Sequence, residues 1–336
     1  MYQRSKNPKP NKMTPQSKHI YDILYSAGAR LPLLEKWLRD DIWSPKRFSQ
    51  LDPQDYLQSG EKLVKNAEEL ILNASPGIYD EIVAASESSP SLLAELMSPK
   101  TAVVIFDGLS IRELPLLERL AERTGYSIIN AQYQYASLPS DTISYIEQRL
   151  VGKRIGPSQL ENRKEFKEKN IFVRHYDTLI RQYEFSNNGS SLLLWSSFPD
   201  GTYMNFEARS SGHFEAIVKQ FDVAWKNIVL SVPRDYRIII TSDHGYIYLY
   251  AGYESELKPD KALDILKNDR FRIFENDEEM PSECAELQIV SHKRVAMLRG
   301  RIKNRPQGPS GSKIFRHGGM SLMEMLTPYV ELRYSN

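Results

Sequence analysis

Three short apolar runs in this chain each lead into a carboxylate. Thr101-Ala-Val-Val-Ile-Phe106 ends in Asp107-Gly108, and Ser191-Leu-Leu-Leu-Trp195 is followed by Phe198-Pro-Asp200-Gly201. Arg237-Ile-Ile-Ile-Thr241 runs into Ser242-Asp243-His244-Gly245. A later segment, Phe315-Arg-His317-Gly-Gly319-Met-Ser-Leu-Met-Glu324, adds a histidine in a Gly-rich turn that leads into a helix. Asp and His side chains gathered at one edge make a mixed oxygen and nitrogen donor set, which suits two divalent ions, Zn²⁺ or Mn²⁺. Each residue also has a plainer reading. Asp-Gly is a common turn, and an isolated histidine is usually a surface or satisfied core residue. Of the six histidines, only His244 and His317 are Gly-flanked after an apolar element.

To converge, these residues need strands that end side by side. The apolar runs, with Ser127-Ile-Ile129 as a further one, are rich in β-branched residues and apolar on both faces. That pattern predicts buried strands of a mostly parallel sheet. Helical spacing lies between them, at Leu114, Leu117, Leu120 and Ala121 and again over Phe214–Val229. The alternation predicts an α/β domain over about residues 99–336, with flanking helices and ligands bound beyond the carboxyl ends of the strands. Residues 14–98 read as a small helical N-terminal segment, with Ile20, Ile23, Leu24, Leu31, Leu34 and Leu38 at helical spacing and Pro-bearing turns at Ser44-Pro45, Asp52-Pro53 and Ser75-Pro76. No chemical motif appears there, so a packing role is expected. Residues 1–13 read as a disordered basic leader.

Composition narrows the function classes. The 336 residues carry 44 Lys plus Arg against 43 Asp plus Glu, so any affinity for a polyanion must come from a local patch. One cysteine, Cys284, rules out an intramolecular disulfide and a Cys-rich zinc module. There is no secretory h-region at the start and no apolar run long enough to span a bilayer, so a cytoplasmic protein without membrane contact is expected. Charge is uneven: residues 287–323 hold eight Lys or Arg and no acid, next to the Gly/Pro/Ser-rich loop 306–312. This predicts a phosphate-attracting rim at Arg299, Arg301, Lys303 and Arg305.

The order Val-Ile-Phe-Asp107-Gly-Leu, Ser-Leu-Pro-Ser-Asp-Thr142, Ile-Thr-Ser-Asp243-His-Gly-Tyr and Arg-His317-Gly-Gly-Met-Ser-Leu-Met-Glu-Met-Leu-Thr-Pro-Tyr resembles the PglZ domain of the alkaline phosphatase superfamily. The resemblance covers roughly residues 100–336. It implies an alkaline phosphatase-like fold and a two-metal phosphoryl-transfer site. Asp107, Asp243 and His244 match the ligands of one ion, shared with a hydroxyl nucleophile. Asp200 and His317 match ligands of the other. Its middle ligand is open between Asn205, Glu207 and His213, with His213 preferred, because Met204 stands where a histidine is expected. Among Ser137, Ser140 and Thr142, the family's glycine ten residues after the nucleophile selects Thr142, with Gly152 at that spacing. The arginine often found four residues after the nucleophile is Ile146 here.

The expected activity is therefore a metal-dependent phosphodiesterase acting on nucleotides or nucleic acid. Because PglZ proteins resemble components of bacteriophage-exclusion (BREX) systems, an antiviral setting with defence-system protein partners is implied. Ile146 and Met204 motivate a rival: a catalytically decayed module that serves protein interaction.

Overall fold

The structure is a computed structural model that describes residues 15–26, 28–185, 190–203, 212–250, 252–281, 287–304 and 314–335. The leader 1–13, the loop 306–312, Cys284, Asn205, Glu207 and Arg305 lie outside the described residues.

Six helices open the described chain: α1 (Pro15–Leu24), α2 (Arg30–Trp37), α3 (Pro45–Gln50), α4 (Pro53–Ala74), α5 (Ile78–Ser88) and α6 (Leu92–Leu96). Two of the Pro-bearing turns are helix starts. Ser44 and Asp52 accept hydrogen bonds from backbone N–H groups of the first turn, while Pro45 and Pro53 occupy the first helical position, where no N–H is needed. In α4, Glu61 and Glu68 lie two turns apart on the buried face. Trp37, Ile42, Val64 and Ile71 from these helices share one continuous core with Phe106, Leu117 and Met297.

The main sheet has six strands: β1 (Thr101–Phe106), β2 (Tyr126–Tyr135), β3 (Ile171–Tyr176), β4 (Ser191–Ser196), β5 (Arg237–Thr241) and β11 (Leu326–Tyr334), in the order β2-β11-β5-β1-β4-β3. β1 pairs in parallel with β4 and β5, and β3 with β4. β11 alone runs antiparallel, between β2 and β5. The sheet is thus mostly parallel and flanked by helices, the expected α/β class. Every residue of β1 and β4 is buried, as their unbroken apolar runs require.

One expected buried strand is different. Ser127–Ile129 belongs to β2, an edge strand that is largely exposed, with Ile129 56% accessible. Beyond the isoleucines the strand continues Asn-Ala-Gln-Tyr-Gln, too polar for a two-sided core.

The other helices of the domain are α7 (Leu114–Arg123), α8 (Thr142–Ile146), α9 (Lys164–Glu168), α10 (Asp200–Tyr203), α11 (His213–Ala224), α12 (Asp260–Ile265) and α13 (Leu322–Met325). β6 (Ile247–Tyr248) pairs with β10 (Phe315–Arg316), and β7 (Phe271–Ile273), β9 (Val295–Leu298) and β8 (Ile289–His292) form a small antiparallel sheet. Among the described residues, no helix is long and apolar enough to cross a membrane.

Candidate metal centre

β1, β4 and β5 are adjacent and parallel, so their carboxyl ends open at one sheet edge. Asp107 follows β1 directly, and its N–H donates to the Ser196 carbonyl at the end of β4 (2.9 Å). The Asp200 N–H donates to the Asp107 carbonyl (2.9 Å), which locks the second acidic turn onto the first. Between them, Gly108 has φ +71° and donates its N–H to Asp243 Oδ1 (3.1 Å). A Cβ on Gly108 would come 3.0 Å from Asp200 Cβ, so the close approach of the two turns requires glycine.

Asp243 and His244 are fully buried. His244 Nδ1 lies 2.9 Å from the Gly245 carbonyl. A carbonyl can only accept, so Nδ1 carries the proton and Nε2 keeps its lone pair. That lone pair faces the carboxylates: Nε2 is 3.5 Å from both Asp107 Oδ1 and Asp243 Oδ2. One donor atom each from Asp107, Asp243 and His244 falls within 4.8 Å of the others. Ligands ~2.0–2.2 Å from a common ion span comparable distances.

The donor chemistry fits a cation. Burial pushes the Asp107 carboxyl well above its usual range, and the charges of Asp243 and Asp200 push it further. Asp243 is also raised by burial. Burial, with His317 nearby, lowers His244 to about 4 and keeps it neutral, as a metal ligand must be. Among the described residues, no Arg or Lys pairs with Asp107, Asp200 or Asp243. A buried divalent ion would supply the missing positive charge.

The three candidate hydroxyls are in different situations. Thr142, the first residue of α8, places Oγ1 2.6 Å from Asp243 Oδ2, 3.4 Å from Asp107 Oδ1 and 3.4 Å from His244 Nε2. Ser137 is buried and donates to the Pro139 carbonyl (3.0 Å). Ser140 is buried too, donating to the Gly319 carbonyl (2.9 Å) and accepting from the Gly318 N–H (3.0 Å). The last two hydroxyls hold loops, and only Thr142 points its oxygen into the acidic cluster. Ile146 is fully buried and packs in an apolar cluster with Tyr145 and Trp195, so no cation stands at that position.

His317 stacks on His244, with centroids 3.9 Å apart and planes 11° from parallel. Its Nδ1 lies 3.2 Å from the Ser140 carbonyl and donates to it. The turn that carries it is shaped by Glu324, which accepts from the N–H groups of Gly319 (2.9 Å) and Ser321 (3.1 Å). Asp200 and His317 therefore stand beside the first three donors, outside their 4.8 Å group. His213 is buried at the start of α11, where its ring lies 5.2 Å from that of Tyr248 and 4.9 Å from that of Phe315.

Two nearby carboxylates carry roles that the strand-end reading missed. Asp141 caps α8 through Oδ1, while its buried Oδ2 has no hydrogen-bond partner among the described residues. Glu113, fully buried, accepts from the hydroxyls of Tyr203 (2.8 Å) and Tyr246 (3.0 Å) on one oxygen and from the Ser110 N–H (3.0 Å) on the other. Tyr203 follows Asp200 by three residues and Tyr246 follows Asp243 by three. Glu113 thus ties the turn after β1 to the other two acidic turns. The repeated Asp-x-x-Tyr spacing was the available sequence signal.

Of the residues expected to form a basic rim, Arg299 and Arg301 are buried and Lys303 is exposed. Arg301 is buried, paired with Glu61 (2.6 Å) and Glu68 (3.6 Å), and donates to the Tyr248 and Tyr253 carbonyls. Arg299 is 5% exposed, its guanidinium 5.2 Å from the Tyr79 ring centroid. Lys303 lies 3.7 Å from Glu254. Around Arg301 and Lys303 the acids missing from the local sequence are supplied in space by α4 and the Glu254 turn.

No protein-family model matches the chain, and no curated protein matches it in sequence. Among solved structures, murine ectonucleotide pyrophosphatase/phosphodiesterase 5 is similar at 11% identity and a TM-score of 0.42, over 69% of this chain and 87% of its own. An inactive form of that protein in complex with AMP is similar at 10% identity and a TM-score of 0.41, with the same coverage.

Proposed function

We propose that the chain is a metal-dependent phosphodiesterase that uses Thr142 as its nucleophile. One observation carries this reading: the Thr142 hydroxyl sits 2.6 Å from Asp243 Oδ2, inside a buried Asp107–Asp243–His244 group that no Arg or Lys neutralises among the described residues. In this reading Asp107, Asp243 and His244 hold one divalent ion. Asp200 and His317, with His213 or Asp141 as a further donor, hold a second. Bound there, two cations would lower the pKa of the threonine hydroxyl and neutralise charge on the phosphoryl oxygens.

The chain's own groups do the rest. α8 fixes Oγ1 at the cluster, and the short contact to Asp243 gives its proton an acceptor. Oγ1 then forms a bond to phosphorus as the bond to the leaving alcohol breaks, and the leaving oxygen takes up a proton. Water cleaves the Oγ1–P bond, which returns the hydroxyl and releases a phosphate monoester. We further propose Zn²⁺ or Mn²⁺ as the ions and a nucleotide or nucleic-acid diester as the substrate. The setting is a cytoplasmic antiviral one with defence-system partners, as the motif resemblance to PglZ domains implies.

The test is metal content together with hydrolysis of bis(p-nitrophenyl) phosphate. The purified chain should hold about two ions, lose activity on chelation and regain it with Zn²⁺ or Mn²⁺. A folded chain that binds neither ion would support the interaction-module reading motivated by Ile146.

A further inference from the structure

The segment that carries Thr142 also walls a second cavity. Leu138 and Pro139 lead into the site, and Ser144, Glu147 and Gln148 follow it. All five line an open cavity of about 630 Å³, which the turn between β8 and β9 also lines. Ser144 is two residues beyond Thr142 in α8, ~3 Å along the helix axis. The cavity is therefore walled by the same chain segment as the candidate metal centre, from the other face of that helix, and includes none of its donors.

Its charge is lopsided. Arg149, Arg154, Lys293 and Arg294 line it, against the carboxylates of Glu87 and Glu147. Arg154 is paired with Glu147 (2.9 Å), and Lys293 shares Glu87 with His292 (3.0 and 3.2 Å). The other two cations have carbonyl partners only. Arg149 donates to the carbonyls of Ser86 and Ser89, and Arg294 to those of Phe274 (3.2 Å) and Glu278 (2.8 Å). Two guanidinium charges thus lack a carboxylate partner among the described residues. Guanidinium is the side chain best matched to phosphate oxygens. Leu138, Pro139, Ile273 and Val295 add apolar surface for a sugar or base.

We propose that this cavity is a nucleic-acid subsite, which takes the nucleoside and phosphate next to the scissile diester of a single-stranded oligonucleotide. Arg149, Lys293 and Arg294 supply the countercharge. The adjacency to a scissile bond rests on the diesterase reading, but the binding does not. The basic stretch 287–323 then meets substrate through Lys293 and Arg294 rather than through Arg299 and Arg301.

The experiment is fluorescence anisotropy of a short labelled oligothymidylate on metal-chelated protein at low salt, so that no hydrolysis intervenes. Lys293→Glu and Arg294→Gln should each weaken binding by about tenfold, and each should flatten the salt dependence by roughly one phosphate contact. Lys36→Glu, an exposed side chain of α2, is the control and should bind like the parent. Circular dichroism checks folding, and Lys293, whose side chain is 73% exposed, tolerates reversal even if Arg294→Gln does not fold. Parental affinity in folded Lys293→Glu and Arg294→Gln would overturn the subsite. Wild-type hydrolysis of the small chromogenic diester reports on the proposed reaction separately: oligonucleotide binding through the cavity without hydrolysis would leave the subsite standing and remove the reaction.

Discussion

Two clusters of buried charge lie within this one molecule, and they are built on opposite plans. In the first, Glu61 of α4 pairs with Arg112 and Arg301, Glu68 lies beside Arg301, and Glu324 makes a two-pronged pair with Arg270. Three carboxylates thus meet three guanidiniums. Burial pushes Glu61 up, but Arg112 and Arg301 outweigh it and hold it below its ordinary value. In the second, Asp107, Asp200 and Asp243 gather with His244 and His317 and no guanidinium among the described residues. There burial and like charge act together, and Asp107 rises. The first cluster pairs acid with base and ties α4 to the turns that carry Arg112 and Arg301, although Glu68 Oε2, Arg112 Nη2 and Arg301 Nη1 keep no hydrogen-bond partner among the described residues. The second has no such partner among the described residues, and a divalent cation would supply the charge that its carboxylates call for.

The widest separation between the clusters should appear in turnover. Thr142→Ala removes the oxygen aimed at the acidic group but little apolar volume. Hydrolysis of the chromogenic diester should fall by about a thousandfold or more, with metal content and thermal midpoint near those of the parent. Ser140→Ala should lower the midpoint instead, because Gly318 N–H and Gly319 C=O lose a buried partner, at a cost of about 1–3 kcal/mol. A Thr142→Ala protein that is folded, metal-loaded and fully active would erase the functional distinction.

Stability of the metal-free protein sharpens the same contrast. Glu61→Gln leaves Arg112 and Arg301 short of countercharge and should cost about 3–5 kcal/mol in denaturant unfolding. Asp107→Asn removes one of several crowded carboxylates and should be neutral or stabilising without metal. With Zn²⁺ or Mn²⁺ present the order should reverse for Asp107→Asn, because the parent gains ligand stabilisation that the variant lacks. Equal losses in both variants without metal would mean that the two clusters do the same work.

Glu113 lies between these extremes, since it touches neither ion pair nor candidate ligand yet holds two acidic turns through Tyr203 and Tyr246. Glu113→Ala should weaken metal affinity by ten- to a hundredfold in titration calorimetry, in the manner of partners that orient metal ligands. Glu113→Gln keeps an acceptor and should recover most of that loss. A variant that loses thermal stability but no metal affinity would make Glu113 purely structural.

What the sequence made legible follows the same division. β1, β4 and β5 are continuous apolar runs, so both their burial and the carboxylates at their ends could be read directly. β2 could not, because Ser127-Ile-Ile129 looks the same on an exposed edge as in a core until partners are known. The convergence of Asp107, Thr142, Asp243 and His244 needs only adjacent parallel strands and the helix start at Thr142. The burial of Arg301 could not be read for a long-range reason: it finds Glu61 and Glu68 more than two hundred residues away in the chain, and no local count of charge contains that contact. Glu113 was hidden for the same reason, since its two tyrosine partners lie 90 and 133 residues away in the chain.

The finest test uses two carboxylates that share one guanidinium. Glu61 and Glu68 both face Arg301, yet their proton affinities move apart. Burial lifts Glu68 from 4.5 to about 7, with Arg301 only partly opposing it and the charges of Glu324 and Glu61 adding to it. A carboxyl raised in the folded state binds its proton more tightly there. Its contribution to stability is therefore fully present below about pH 4.5 and is lost as pH rises through 7. The stability gap between parent and Glu68→Gln should then shrink between pH 5 and 8, by at most about 3 kcal/mol. Gln keeps an acceptor for the Leu322 N–H, which Glu68 Oε1 now accepts at 2.6 Å, so the backbone contact survives the change. Glu61 is lowered, so its contribution is present above its ordinary value and fades only as pH falls below it. The gap for Glu61→Gln should accordingly hold steady over pH 5–8. Thermal midpoints of the three proteins across that range decide it: a constant gap for Glu68→Gln would show that Arg301 neutralises both carboxylates alike, and the first cluster would then be uniformly ionised.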